Sequence, residues 1–376
     1  MANGPEKCVS YIGKVCSLLY ARYTAGGYPI AMVSTDNCSH NGEKLYGAIH
    51  EFAEKWAAGG VADKGFLDYV EDPKRVSFPW SMIDKITPRP DESVRDMIAA
   101  DGVEDAEPVV TGFHTYVAPF VNAEESEYLV IEDDFPNGRP ALEKAGVIFT
   151  DRDTVNNVER MKVTTCLNPL HTSLAVYGCL LGFTRISEEM KDDDLLKLID
   201  TVGYKEGLPV VTDPGVVDPS EFIDTVVKKR LPNPFMPDTP QRIACDTSQK
   251  IPIRFGETIK SYIADPVKDV NDLNAIPLVI AGWLRYAKGI DDKGDAFECS
   301  PDPGLSKVTD ALKGLAFGSD ISFDDAKKVL DPILADSELF ASDLVKAGLS
   351  DKIITYFISL MKGPGAVRET LHKSLA

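Results

Sequence analysis

Within thirteen residues, Glu159-Arg160-Met161-Lys162-Val163-Thr164-Thr165-Cys166-Leu167-Asn168-Pro169-Leu170-His171 gathers a carboxylate, an amine, an amide and an imidazole. Asn before Pro is pushed out of the α region and Pro suits a first helical turn. Asn168 therefore reads as the N-cap, Pro169 as N1 and His171 as N3 of a helix running to Phe183. The positive end of that helix suits an oxyanion or a developing alkoxide. A capped, buried helix with a satisfied histidine is the competing reading.

Three other clusters carry chemistry. The apolar run at 28–34 leads into Thr35-Asp36-Asn37-Cys38-Ser39-His40-Asn41-Gly42, short polar side chains at the strand end where open α/β sheets bind ligands; an N-capped turn uses the same residue types. Cys38 and His40 are zinc-ligand types, but no second Cys/His pair stands at ligand spacing, so no metal is expected. In residues 76–88, Asp84 is the only carboxylate between Pro79 and Pro88, with a solvated loop acid as its plain reading. Arg242 and Lys250, eight apart on a Pro-bounded segment, could clamp a polar or anionic ligand, or form surface ion pairs.

Positioning these groups requires two kinds of scaffold. Residues 8–23 have helical apolar spacing, 28–34 suit a buried parallel strand and 43–57 a helix, the rhythm of an α/β layer. Further strands are predicted at 76–79, 109–117, 128–132 and 147–150. Beyond about residue 150 the pattern is helices punctuated by Pro, Gly and Asp: 155–165, 169–183, 194–202, 219–230, 248–262, 272–286 and about four past Pro303. The expected architecture is an α/β domain over 1–153 followed by a mostly helical one over 154–376. No G-x-G-x-x-G joins a strand to a helix anywhere in the chain.

Forty basic against 59 acidic residues leave a net charge of −19, which repels phosphate backbones and anionic lipid. Neither nucleic acid nor a membrane surface is an expected partner. An anionic substrate would need a local gathering of cations inside this acidic molecule. Seven cysteines without a C-x-x-C pair fit reduced thiols in cytoplasm. No signal-peptide run opens the sequence, and apolar stretches such as 276–284 fall short of the ~20 residues that span a bilayer.

In order and wording these clusters resemble the polyol-specific long-chain dehydrogenases, the family of mannitol 2-dehydrogenase and fructuronate reductase. The matching pieces are STDNCSHNG (34–42), VSFPWSMIDKITP (76–88), ERMK with LNPLHTSLAVYGCLLG (159–182), the segment from Asn233-Pro234 through QRIACDTSQKIP (241–252) and AGWLRYAKGIDDKG (281–294). The resemblance implies an incomplete Rossmann-like domain and a helical substrate domain, zinc-independent hydride transfer with NAD (NADP remaining open), a sugar-acid or polyol substrate and a monomer. It makes Lys162 the general base, Asn37 and Asn168 donors to the reacting oxygen, His171 the residue that orients substrate, and Glu159 an acid assisting proton exit. Arg242 and Lys250 become substrate-binding cations; Asp84, with Asn37, belongs to the cofactor side of the network. Fructuronate and mannonate are the preferred pair, with fructose and mannitol, or a non-catalytic binding module, as alternatives.

Two departures from the family pattern carry expectations. The family spaces its lysine and asparagine as K-x4-N, whereas Lys162 and Asn168 are K-x5-N. On a regular helix the extra residue turns the side chain by ~100°, so a break or bulge is predicted before Pro169. The glycine-rich first strand–helix unit is also absent before Cys8, so the chain is expected to lack the N-terminal part of the nucleotide-binding domain.

Overall fold

Ser10 opens the first helix by accepting from the Gly13 amide at 3.2 Å, and from there the elements follow in chain order: α1 (Tyr11–Thr24), β1 (Ile30–Ala31), α2 (Asn41–Ala58), α3 (Gly65–Glu71), β2 (Val76–Ser77), β3 (Ser81–Ile83), α4 (Glu92–Ala100), β4 (Val109–Val110), β5 (Tyr116–Val117), β6 (Leu129–Glu132), β7 (Ile148–Thr150) and α5 (Arg152–Met161). The computed structural model describes residues 4–85, 89–123, 125 and 127–376. The end of the 76–88 motif, at 86–88, lies outside them. The chain divides into one unit of Met1–Lys85, Glu127–Glu159 and Pro214–Val216, and a second of Ile86–Ser126, Arg160–Asp213 and Val217–Ala376.

In the first unit β1 and β2 pair in parallel, Ile30 opposite Val76 and Ala31 opposite Ser77. A three-stranded sheet orders β3-β6-β7, antiparallel then parallel. The apolar faces of α1, α2 and α3 close on a core that includes Cys16, Leu19, Ile49, Trp56, Phe66 and Tyr69. The strand predicted over 28–34 pairs only at Ile30–Ala31, because the chain beyond is drawn into a loop by Asn41. Its buried amide donates to Ser34 O (3.2 Å), Asp36 O (3.0 Å) and Ser81 Oγ (2.9 Å), and its oxygen accepts from the Ser81 amide (3.0 Å). Helix α3 was not read from the sequence, nor was α4, which with the β4–β5 strands belongs to the second unit. The strand expected over 109–117 is a small hairpin, β4 with β5.

The second unit is helical: α6 (Asn168–Leu181), α7 (Ile186–Glu189), α8 (Asp193–Asp200), α9 (Pro219–Thr225), α10 (Pro240–Ile243), α11 (Thr247–Ile251), α12 (Glu257–Ala264), α13 (Ala275–Tyr286), α14 (Leu305–Ala311), α15 (Phe323–Leu334), α16 (Ser337–Phe340), α17 (Ser350–Leu360) and α18 (Ala366–Ser374). Every residue of α13 is buried, and it packs along α17 and across α6. Its first turn is satisfied from elsewhere, and its last turn reaches out to other segments. The Glu206 carboxylate accepts from the amides of Asn274, Ala275 and Ile276 at 2.6, 2.6 and 2.8 Å. At the other end the buried Arg285 guanidinium donates to the carbonyls of Leu360, Ile290 and Asp291 at 3.1, 2.6 and 3.1 Å. Asp292 accepts from the amides of Val367 and Arg368 at the start of α18. Residues 281–294, quoted above for their wording, thus lock three helices together.

Four helices widen into π-helical stretches: Lys162–Cys166 after α5, where a bulge is predicted, and, without such an expectation, Thr201–Gly207 after α8, Val226–Arg230 after α9 and Pro252–Gly256 after α11. Such bulges house an extra residue in a continuing helix and concentrate at functional sites. At Pro252 the cause is local, since proline supplies no amide for the preceding turn.

Candidate active site

The π-helical stretch after α5 answers the spacing problem. Lys162 is its first residue, Leu167 N bonds Lys162 O at 3.1 Å across five residues, and α6 starts at Asn168. The predicted bulge is there, and it takes up the additional residue between the amine and the amide. Lys162 is 3 % exposed, an uncommon situation for an ammonium group. The helix start is shifted by one from expectation. Leu167 is the cap, Asn168 is N1, Pro169 N2 and His171 N4, without a side-chain cap, because the chain leaves the π turn at Leu167 rather than at the X-Pro residue.

His171 lies against Asp238, Nε2 to Oδ2 at 3.4 Å. Burial lowers the imidazole pKa below its ordinary value; Asp238 opposes this, and the nearby Arg254 and Arg230 add to it. Burial disfavours the Asp238 carboxylate, yet His171 and Arg242 outweigh it and hold that group at about 2. Burial and the two arginines thus oppose the charged imidazole, while Asp238 favours it. A small pocket next to it is lined by His171, Ile186, Arg230, Asn233, Met236 and Asp238. Asp238 lies inside the 233–252 segment, with no role drawn from the sequence; only the fold sets it against His171.

The two cations named from the sequence already have partners. Arg242 pairs with Asp238 one turn away, and the Lys250 amine donates to the carbonyls of Ile243 (3.0 Å) and Cys245. Burial, then Arg254, lowers the Lys250 pKa. Arg254 escaped notice. It stands on the π-helical stretch Pro252–Gly256, which packs against the one bearing Lys162, and its Nη1 donates to Thr172 Oγ1 and, at 3.5 Å, to Asn168 O. The available signal was Arg254 four residues after Lys250, one helical turn on. Arg230, Arg242, Lys250 and Arg254 thus surround the N-terminal part of α6, the local cationic cluster that an anionic substrate requires.

In the first unit, Asn37 lies in the loop that Asn41 shapes at the C-terminal end of β1. His40 takes a left-handed conformation, stacks on Trp80 with ring centroids 4.3 Å apart, and pairs with Asn156 of α5 at 3.0 Å. Glu159, on the same helix, acts electrostatically on Cys38; burial raises that thiol's pKa first, with Asp36 and Glu159 adding. The Asn37 loop and the Glu159 carboxylate are thus neighbours. Asp84 is 3 % exposed, its amide bonded to Tyr128 O at 3.0 Å, which replaces the solvated-loop reading with a buried one. Among the described residues no three His, Cys, Asp or Glu side chains gather as a metal site. A cleft of about 620 Å³ in this unit is lined by Tyr46, Val70, Phe78, Trp80, Asp134 and Arg152; it takes in Gly42 and Val76–Ser77 of the quoted motifs but none of the candidate site residues.

These residues fit part of a dinucleotide. Asn37 and Ser39, exposed at the end of a parallel strand, suit an amide or ribose hydroxyls, whereas the sequence contains no glycine-rich turn to cradle a pyrophosphate. The Rossmann-type domain and the mostly helical second domain are those of a dehydrogenase. The chain belongs to the mannitol dehydrogenase family: its Rossmann domain model matches residues 1–144 and its C-terminal domain model residues 154–359. The chain is 53 % identical to D-mannonate oxidoreductase of Thermotoga maritima over 375 residues, covering 99 % of this chain and 68 % of that protein. It is 31 % identical to mannitol 2-dehydrogenase of Phaeosphaeria nodorum over 89 % of this chain and 54 % of the other. Among solved structures it is similar to the Pseudomonas fluorescens mannitol 2-dehydrogenase ternary complex with NAD and D-mannitol (27 % identity, TM-score 0.65, 99 % and 68 % of the two chains). A D-sorbitol dehydrogenase in substrate-free form is likewise similar (26 % identity, TM-score 0.75, 100 % and 68 % of the two chains). The chain spans about two thirds of the Thermotoga protein and little more than half of the Phaeosphaeria one.

Proposed function

We propose that this chain carries the substrate-binding half of an NAD-dependent oxidoreductase that interconverts fructuronate and mannonate. The observation behind the choice of a sugar acid is the cluster Arg230, Arg242, Lys250 and Arg254 around α6 in a molecule of net charge −19. The 53 % identity to a D-mannonate oxidoreductase supports the same choice. Lys162 is the base that takes the hydroxyl proton during oxidation and returns it during reduction. Burial and neighbouring cations are what such a lysine needs, since a free one titrates near ~10.4. Asn168 donates to the reacting oxygen, as does Asn37 in the role the family resemblance gives it, stabilising charge as it develops. His171, placed against Asp238, orients substrate hydroxyls; Glu159 passes the proton to water; Asp84 supports the cofactor side. Bound NAD supplies the hydride acceptor. The enzyme acts in the cytoplasm.

The test is a steady-state comparison of fructuronate and fructose at saturating NADH. Fructuronate should be reduced with the higher kcat/KM, and preferential turnover of fructose would replace this reading by a mannitol 2-dehydrogenase. Folded protein that reduces neither, and shows no NADH fluorescence enhancement, would be a binding module instead.

A further inference from the structure

Of Arg242, Lys250 and Arg254, it is Arg254 that keeps donors the other two have given up to protein partners. Arg242 is neutralised by Asp238, and the Lys250 amine is spent on two carbonyls. Arg254 uses one nitrogen, Nη1, on Thr172 and Asn168, and among the described residues it has no carboxylate partner. It is crowded by protein on most sides, and burial brings its pKa down to about 10, yet the side chain keeps some solvent exposure. That combination describes a largely desolvated charge that solvent still reaches. Its fixed fork suits a planar anion, and the Thr172 bond sets the orientation.

We propose that Arg254 is the carboxylate anchor of this site, the residue that makes it select a sugar acid over a neutral polyol. This rests on the sugar-acid reading above. Fructuronate has its ketone near one end of the chain and its carboxylate at the other, so one substrate can meet the Lys162–Asn168 pair and a cation on the neighbouring π-helical stretch together.

The experiment compares kcat/KM for fructuronate and fructose in the wild-type chain and in Arg254→Gln. The ratio should fall on the order of 100-fold in the variant, as expected when one partner of a desolvated charge pair is removed. Equal losses on both substrates would overturn the proposal and leave Arg254 as a positioning residue for Asn168. A wild-type chain that prefers fructose would instead defeat the sugar-acid reading, whatever the variant does. Should Arg254→Gln fold poorly by circular dichroism, Arg254→Lys provides a second route through calorimetric titration with D-mannonate and D-mannitol. Lysine keeps the charge without the fork, so D-mannonate should weaken about tenfold more than D-mannitol. Parallel weakening of the two would overturn the proposal.

Discussion

Lys162 is almost wholly buried at the one place where its helix widens, and Asn168 opens the next helix six residues on. Removing the amine with Lys162→Ala should lower kcat by roughly 10²–10⁴-fold, the usual share of a positioned base, with thermal stability kept. An unchanged kcat would remove lysine from the chemistry. A second buried group makes its prediction through pH. Glu189 is fully buried against Gly178 of α6, its carboxyl oxygens have no hydrogen-bond partner among the described residues, and burial, with Asp192 adding, pushes its pKa to about 9. Between the ordinary glutamate value and 9 the folded state holds a proton that the unfolded chain has lost. Stability is therefore greatest below the ordinary value and falls as pH rises, by at most about 1.4 kcal/mol per unit. Urea melts from pH 5.5 to 8.5 should show that slope in the wild type and a shallower one in Glu189→Gln; identical slopes would mean that Glu189 ionises as an ordinary carboxylate.

At the scale of elements, helix ends decide more than helix middles. The start of α13 depends on a carboxylate that arrives from the π-helical stretch Thr201–Gly207, and from its end Arg285 ties down the carbonyls of Leu360, Ile290 and Asp291. Glu206→Gln turns an acceptor of three amides into a group with only one oxygen and removes the charge that favours a helix N-terminus. It should cost about 2–3 kcal/mol, read as a lower denaturant midpoint with an unchanged m-value. Helix α6 has the opposite vulnerability, in its middle. A Cβ at Gly178 would lie 1.9 Å from Glu189 Oε1, so Gly178→Ala should destabilise by roughly 1–3 kcal/mol, and combining it with Glu189→Ala should recover most of that loss. An additive double variant would separate the two residues.

For the whole molecule, the net charge of −19 and the cationic cluster in the second unit make opposite demands on an anion. Long-range repulsion is screened by salt, whereas a charge paired in a recess is screened less. This is why the overall charge excludes polyanionic partners without excluding a small acid. No helix among the described residues is long and apolar enough to cross a membrane. Among the described residues the zinc reading of Cys38 and His40 finds no third ligand, and His40 contacts Trp80 and Asn156. Prolonged exposure to a chelator should leave fructuronate reduction unchanged; activity lost and then restored by zinc would bring that reading back.

Much of the outline was legible because it is written in local patterns. The strand-then-polar-cluster at 28–42, the Asn-Pro helix start and the helical run beyond 150 all follow from periodicity and turn chemistry, and the bulge after Lys162 followed from counting residues against K-x4-N. The cap at Leu167, the shortness of β1 and the extra helices α3 and α4 depended on packing that local patterns do not encode. The same holds for charges. Sequence supplied Arg242 and Lys250 as cations, but a side chain's partner is set by what the fold brings near it, so only the tertiary structure assigned Arg242 to Asp238, Lys250 to backbone carbonyls, and unused donors to Arg254. Residue types and spacing determined which chemistry this protein could do; the burial and pairing of those residues, which come from contacts distant in sequence, decided which of them are left to do it.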